Sequence, residues 1–436
     1  GKSSEKLLAR TSAIGQDWQP HGCPVEFYAL GGQGTGVPLR ATISSFGPIL
    51  LSKVLGLNET QESTLGLVFH YCDTQGLPLL DLEDLRSVLT YLTSDEGKAD
   101  LKELGGVSSA TAGVILRSLV TLQTQGGEEF FGEPEFDSRD LLRTTGDGQG
   151  VISLLELPNL HDRPAIFSTF LMWLLADLFH DLPEVGDIDR PKLVFFFDEA
   201  HLLFADASKA FLQAIAQTVR LIRSKGVGIF FVTQTPKDVP EDVLAQLGSR
   251  VQHQLRAHTP NDAKALKATV ATYPNSGYDL AEVLQSLGIG EAIVTVLNPN
   301  GAPTPVAWTR MRAPEASMDP MPEQMMAGGI AQSAMMRKYG QAVNRDSAYE
   351  MLTRKLEQGR AAAASEAEAK QREKDAAAQA RATQAQPRTT QSRTTSSRPA
   401  PKSGVEKVLS SPTFWNKVIT VGGEIARGMM GTGRKR

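Results

Sequence analysis

The chain has 436 residues, 41% of them apolar, 22% charged and 6% aromatic; 45 Lys and Arg against 49 Asp and Glu leave a formal charge of −4. At about 100–200 residues per domain this length holds two or three folded units, and the lack of a basic excess argues against nucleic-acid binding over the whole surface while allowing a local basic face. Two cysteines, Cys23 and Cys72, are too few for a disulfide framework or a four-ligand zinc site and suit a reducing, cytoplasmic setting.

The first zone, residues 1–45, opens Gly1-Lys2-Ser3-Ser4 without Met and without a basic-then-apolar leader, so the chain is expected to have been processed or cut. His21–Leu30 reads as one strand. Gly31–Gly36 then makes a tight glycine-rich hairpin turn before a second short strand around Leu39–Ile43. Residues 46–145 read as a helical insertion, with apolar spacing at Ile49, Leu50, Val54 and Leu55, a capping start at Asn58-Glu59-Thr60-Gln61, and further helices near Leu80–Leu92 and Ala110–Leu122.

Residues 146–315 alternate strands and amphipathic helices. Strands are expected at Val151–Leu155, Leu193–Phe197, Val227–Thr233, Arg250–Leu255, Ala292–Leu297 and Pro305–Arg310, with helices at Pro164–Leu178, Lys209–Ser224, Pro240–Leu247 and Pro260–Val270. The fold class is therefore α/β, and continuous apolar strands such as Leu193–Phe197 predict a mostly parallel sheet covered on both faces. The stretch Phe167–Phe179 is broken by Asp177 and too short to cross a bilayer.

Residues 316–360 form a C-terminal helical segment, in which Met318, Met321, Met325, Met326, Met335 and Met336 read as packing against the core, with an interaction surface as the alternative. Residues 361–402 have no Leu, Ile, Val, Met, Phe, Tyr, Trp or Cys, and such a segment cannot bury enough apolar area to order itself. It reads as a linker rich in Ala, Gln, Arg and Thr, transiently helical in its first half. Residues 403–436 regain apolar spacing and carry Lys407, Lys417, Arg427, Arg434, Lys435 and Arg436, a cationic amphipathic helix suited to a partner protein or a membrane surface, or to packing back on its own ring.

The strongest chemical signal is Lys192-Leu193-Val194-Phe195-Phe196-Phe197-Asp198-Glu199-Ala200-His201. An apolar strand ending in two carboxylates is the Walker B pattern of nucleoside triphosphatases. The strand delivers the acids to its C-terminal end, where α/β sheets open their binding crevice. Asp198 suits the water shell of Mg²⁺, and Glu199, on the other side of the pleat, suits the general base that polarises the attacking water. A plain strand ending in a solvated acidic turn is the bland alternative. Thr233-Gln234 ends a neighbouring strand, where Gln234 can sense a γ-phosphate or hold the lytic water. Arg220 and Arg223 lie one helical turn apart at a helix end; they either complement the helix dipole or act as an arginine finger toward a neighbouring subunit.

In order and spacing, Phe197–His201, Arg220–Gly228, Val232–Pro236, Leu247–Val251 and Arg256–Asp262 resemble the C-terminal half of HerA-type ATPases. These belong to the FtsK–HerA group of ring-forming DNA motors, and the resemblance is to their bacterial branch and covers about residues 5–360. It implies a RecA-like P-loop core, a homo-hexamer, ATP and Mg²⁺ as cofactors, and duplex DNA bound without sequence preference. It also implies Asp198 and Glu199 as the Walker B pair, Gln234 as the sensor, Arg223 or Arg220 as a trans-acting finger, and Arg256 near the nucleotide or the subunit interface.

One element of that pattern is absent from the sequence. In Gly31-Gly32-Gln33-Gly34-Thr35-Gly36 the glycines have P-loop separation, but Val37 and Pro38 stand where Lys and Ser or Thr hold phosphate and Mg²⁺. Gly1-Lys2-Ser3 mimics the end of a P-loop, but no strand precedes it, and Ser4–Arg10 starts a helix. The residues are thus expected to be a piece whose Walker A loop lies upstream, inactive as they stand. Asp198-Glu199-Ala200-His201 also spells the box of two-lobed helicases, whose other elements are missing here. His201, with no second His at ligand spacing, reads as a helix-start residue. Two functional classes remain: an ATP-driven ring that translocates along or unwinds DNA (with secretion and conjugation motors as close variants), and a non-catalytic or membrane-peripheral scaffold.

Overall fold

The computed structural model describes residues 1–384 apart from Gln33, 101–104, 157–163, Asp187 and 205–208. The sequence reading of 403–436 therefore lies outside the described residues. Two units are distinguished, Gly1–Ala361 and Ala362–Arg436.

Helix α1 (Glu5–Ala13) and strands β1 (Val25–Leu30) and β2 (Val37–Leu39) begin the first unit. A helical block follows: α2 (Ile43–Val54), α3 (Glu59–Gln75), α4 (Leu82–Thr93), α5 (Ser109–Leu122) and the single turn α6 (Glu128–Phe130). Then come β3 (Ile152–Leu155), α7 (Pro164–Asp181), β4 (Leu193–Phe197), α8 (His201–Phe204), α9 (Lys209–Leu221), β5 (Val227–Phe231) and α10 (Glu241–Leu244). The chain continues through β6 (Arg250–Gln252), α11 (Pro260–Val270), α12 (Leu280–Ser286), β7 (Glu291–Thr295) and β8 (Ala307–Arg310). Helices α13 (Glu323–Gln332), α14 (Ala334–Tyr339) and α15 (Ala348–Gln384) complete the described residues.

The strands form three sheets, β2–β1–β3 and β4–β5, both parallel, and β6–β7–β8, which is antiparallel. The architecture is α/β with mostly parallel pairing, and the last three expected strands belong to the antiparallel part. The expected hairpin at Gly31–Gly36 is corrected: β2 runs parallel to β1, with Tyr28 opposite Val37 and Leu30 opposite Leu39. So abrupt a return needs left-handed backbone at Gly31, Gly32 and Gly34, and Gly36 passes so close to Phe27 that a β-carbon there would lie 2.7 Å from its carbonyl. The strand expected up to Ile43 ends at Leu39, because Thr42 caps α2, its hydroxyl accepting from the Ser45 amide at 3.1 Å.

The main core joins the parallel strands to the helical block. Phe46 of α2, Phe130 of α6, Phe131, and Phe170 and Trp173 of α7 make an aromatic cluster with ring centroids 5.0–6.5 Å apart. Each such ring, once buried, contributes about 1.5–3 kcal/mol. A second core lies under α11, α12 and β7, built on Leu266, Leu280, Leu284 and Ile293. Helix α1 is tied to it by the Arg10 guanidinium, which donates to the carbonyls of Gly290 at 2.9 Å and Ile289 at 3.1 Å.

Helix α3 begins as its sequence predicts, with Asn58 and Gln61 each capping the other's backbone amide at 3.0 Å. Of the methionines, Met335 and Met336 pack on the core, whereas Met318, Met321 and Met325 are exposed, which corrects the packed reading for those three. Residues 361–384, mostly the half of the linker read as transiently helical, continue α15 as helix. Strong helix formers fill this stretch, and i,i+4 pairs such as Glu366 with Lys370 support it.

Candidate active site

Strands β4 and β5 lie in register, Leu193 against Val227 through Phe197 against Phe231. Leu193, Phe195, Phe197, Ile229 and Phe231 turn toward the core. The opposite face is not covered as expected: Phe196 is 67% and Phe230 51% exposed, and their rings stack with centroids 4.7 Å apart. A run of five apolar residues does not reveal which of its two faces is covered. Being parallel, the two strands bring their C-terminal ends to one edge.

At that edge the chain leaves strand geometry. Val232 N–H donates to the Phe197 carbonyl at 2.9 Å, and Ala200 N–H donates to the Val232 carbonyl at 2.8 Å. Asp198 and Glu199 are thus held in a turn stitched at both ends to Val232, two residues before Gln234. Glu199 N–H donates to Asp198 Oδ1 at 3.0 Å. Glu199 has φ +47°, the one non-glycine residue with positive φ among those described, at a cost on the order of 1–3 kcal/mol. The direction of its carboxylate is therefore set by this left-handed turn, which corrects the expectation that pleat alternation separates the two acids.

Two residues beside the turn take part in ways the sequence reading did not assign. His201 is the first residue of α8, as expected, but its Nδ1 also sits 3.2 Å from Glu199 Oε2. Asp238 organises the loop around Gln234: its Oδ2 accepts from the Thr233 hydroxyl at 2.7 Å and from the Thr235 amide at 3.1 Å. The cap spacing Thr235-Pro236-Lys237-Asp238 is the signal that could have found it.

The arginines are placed elsewhere. Arg220 lies in the last turn of α9 and Arg223 in the following 3-10 turn, both exposed and both before β5 begins. Gln234 lies beyond the other end of that strand, which at five residues of about 3.3 Å each is about 16 Å long. The structure therefore does not bring Arg220 or Arg223 to the acidic turn of the same chain. Arg256 is exposed between β6 and α11, with no hydrogen bond or ion pair to the turn among the described residues, and Thr259-Pro260-Asn261-Asp262 is the capping start of α11.

Asp198 is exposed and presents carboxylate oxygen, the donor that hard Mg²⁺ prefers. Among the described residues no group of three or more His, Cys, Asp or Glu could hold a metal unaided. The turn thus fits Mg²⁺ carried largely by water and phosphate oxygens. Val37 and Pro38 do not fit the phosphate side: Val37 is fully buried in β2 and Pro38 has no backbone N–H donor.

The family described as "Helicase HerA-like C-terminal" matches residues 1–436. The chain belongs to this family. The described residues of this HerA-like chain are α/β with mostly parallel strands and C-terminal helices. It is 33% identical over 153 residues to the probable helicase MJECL08 of Methanocaldococcus jannaschii, a match covering 33% of this chain and 28% of that protein. It is 31% identical over 169 residues to the DNA double-strand break repair helicase HerA of Saccharolobus solfataricus, covering 37% of this chain and 31% of the relative. The matched stretch is thus under a third of either relative. Among solved structures, the plasmid coupling protein TrwB with a non-hydrolysable GTP analogue has TM-score 0.45 and 14% identity over 72% of this chain and 83% of that one, too distant to bear on function. No helix among the described residues is long and apolar enough to cross a membrane.

Proposed function

We propose that this chain is the hydrolytic part of a RecA-like, HerA-type motor of the bacterial branch, which as a homo-hexameric ring couples ATP hydrolysis to translocation along, or unwinding of, duplex DNA. The observation that carries this reading is the Asp198–Glu199 turn stitched to Val232, two residues from Gln234. In it, Asp198 holds the water shell of Mg²⁺, Glu199 takes the proton of the attacking water, and Gln234 orients that water or senses the γ-phosphate. Mg²⁺ bound with ATP supplies charge neutralisation on the phosphates. Residues 1–436 hold no complete Gly-x-x-x-x-Gly-Lys-Ser/Thr loop, and ATP hydrolysis by these residues alone is not expected. Free thiols at Cys23 and Cys72 suit a cytoplasmic setting.

The position of Arg220 and Arg223, a strand length from the acidic turn, supports a role in trans. In a ring these cations face a neighbouring subunit's nucleotide and neutralise charge as the phosphoryl group departs, with Arg223 the first choice and Arg256 a further cation near the interface. DNA contacts made by a few basic pore residues per subunit weaken steeply with salt and tolerate the overall acidic balance. Mixing Arg223→Ala subunits into wild-type rings, in a preparation that hydrolyses ATP, tests this. ATPase activity is expected to fall faster than the wild-type share of subunits. A strictly proportional fall, or none, contradicts the trans-acting finger.

A further inference from the structure

We propose that His201 is the positioning residue of Glu199, an inference that rests on reading Glu199 as the general base. Glu199 is held in a left-handed conformation, and its Oε2 lies 3.2 Å from His201 Nδ1. That nitrogen is buried and has no hydrogen-bond partner among the described residues, and the contact is close enough for a charge pair yet off the line of a good hydrogen bond. A buried ring nitrogen that faces a carboxylate is poorly satisfied unless that carboxylate is where the ring directs it. Loose alignment of this kind is common in catalytic hydrogen bonds that tighten only when the reacting complex forms.

The chemistry follows the general arrangement in which a base is itself oriented by a third group. Nδ1 takes one carboxylate oxygen, Oε2. The other, Oε1, has no hydrogen-bond partner among the described residues and stays available to accept the proton of water. His201 is suited to this because it opens α8, so its backbone is fixed by Leu202 and Leu203, whose amides close the turn onto the Glu199 and Ala200 carbonyls at 2.8 and 3.1 Å. The turn thus sets the backbone of the base and the helix start sets its carboxylate.

Two measurements test the proposal. The first needs no turnover: in the 436-residue chain with ¹⁵N-labelled histidine, His201→Asn identifies which of the seven imidazoles is His201. Glu199→Gln should then shift that imidazole and leave the other six in place; an unmoved His201 resonance overturns the proposal. The second uses a preparation that hydrolyses ATP. His201→Ala should lower kcat about tenfold, a part of the 10²–10⁴-fold that a general base supplies, with KM for ATP unchanged. His201→Asn, whose amide reaches where Nδ1 sits, should restore most of the loss, whereas a purely structural role would not be rescued. Unaltered kcat in His201→Ala, or equal losses in the two variants, overturns the positioning role alone. Wild-type turnover in Glu199→Gln removes the base itself, and His201's role with it, so the two failures are distinguishable.

Discussion

Glu199→Gln should lower ATP turnover by about 10²–10⁴-fold, the range that a positioned general base supplies, in any preparation of the protein that hydrolyses ATP. Nucleotide binding should survive, because Gln matches Glu in shape and the Mg²⁺-bearing acid is its neighbour Asp198. The loss is expected to be large because the turn holds a single candidate base. Asp198 Oδ1 is already engaged by the Glu199 amide, and the carboxylate of Asp238 is committed to Thr233 and Thr235. The measurement is single-turnover hydrolysis alongside equilibrium nucleotide binding. Retained turnover would show that Glu199 is not the base; lost binding would show that it holds the nucleotide instead.

The largest effect on stability is expected at Asp84, far from that turn. This carboxylate is fully buried in α4. Its Oδ2 accepts from the amides of Leu80 at 2.8 Å and Asp81 at 3.2 Å. Its Oδ1 accepts from the Tyr349 amide at 2.8 Å and the Ser347 hydroxyl at 2.5 Å, so one side chain fastens the helical block to the start of α15. Hydrogen bonds to a charged group contribute about 1.5–3 kcal/mol each, and they do not add independently. Asp84→Ala strands several buried donors at once and should cost about 3–5 kcal/mol, the scale of removing one partner from a buried charge network. Asp84→Asn, which keeps an acceptor oxygen, should lose less. Urea denaturation compares the three proteins, and a loss under 1 kcal/mol in Asp84→Ala would mean that water replaces these bonds.

Much of the architecture is legible in the sequence where the signal is local. The limits of β4 and α11 are read to the residue, since an apolar run bounded by polar residues and a Thr-Pro-Asn-Asp cap are complete within a few positions. The capped start of α3 is equally plain. Helix α12 is missed because it has seven residues between glycine-containing loops. The parallel return at Gly31–Gly36 is mistaken for a hairpin because glycine licenses both turns and only pairing partners decide between them. For the same reason Phe196 and Phe230 cannot be assigned to a covered or an open face from their own run.

The acidic doublet and Gln234 are visible as residue types at a spacing, and the structure ties their two turns together through Val232. What the sequence hides is how each is held. The left-handed Glu199, the approach of His201 and the grip of Asp238 on both sides of Gln234 are properties of turns, where dihedral angles rather than periodicity set direction. Arg220 and Arg223 illustrate the converse. Their one-turn spacing is evident, but only the strand order shows that they and the doublet occupy opposite ends of β5.

A structure of the ATP-hydrolysing preparation with Mg²⁺ and a non-hydrolysable ATP analogue would decide whether the acidic turn is a nucleotide site at all. The metal's water shell should lie against Asp198, with the terminal phosphate facing Glu199 and Gln234. A nucleotide bound elsewhere, with the two carboxylates and Gln234 untouched, would contradict the proposed chemistry outright.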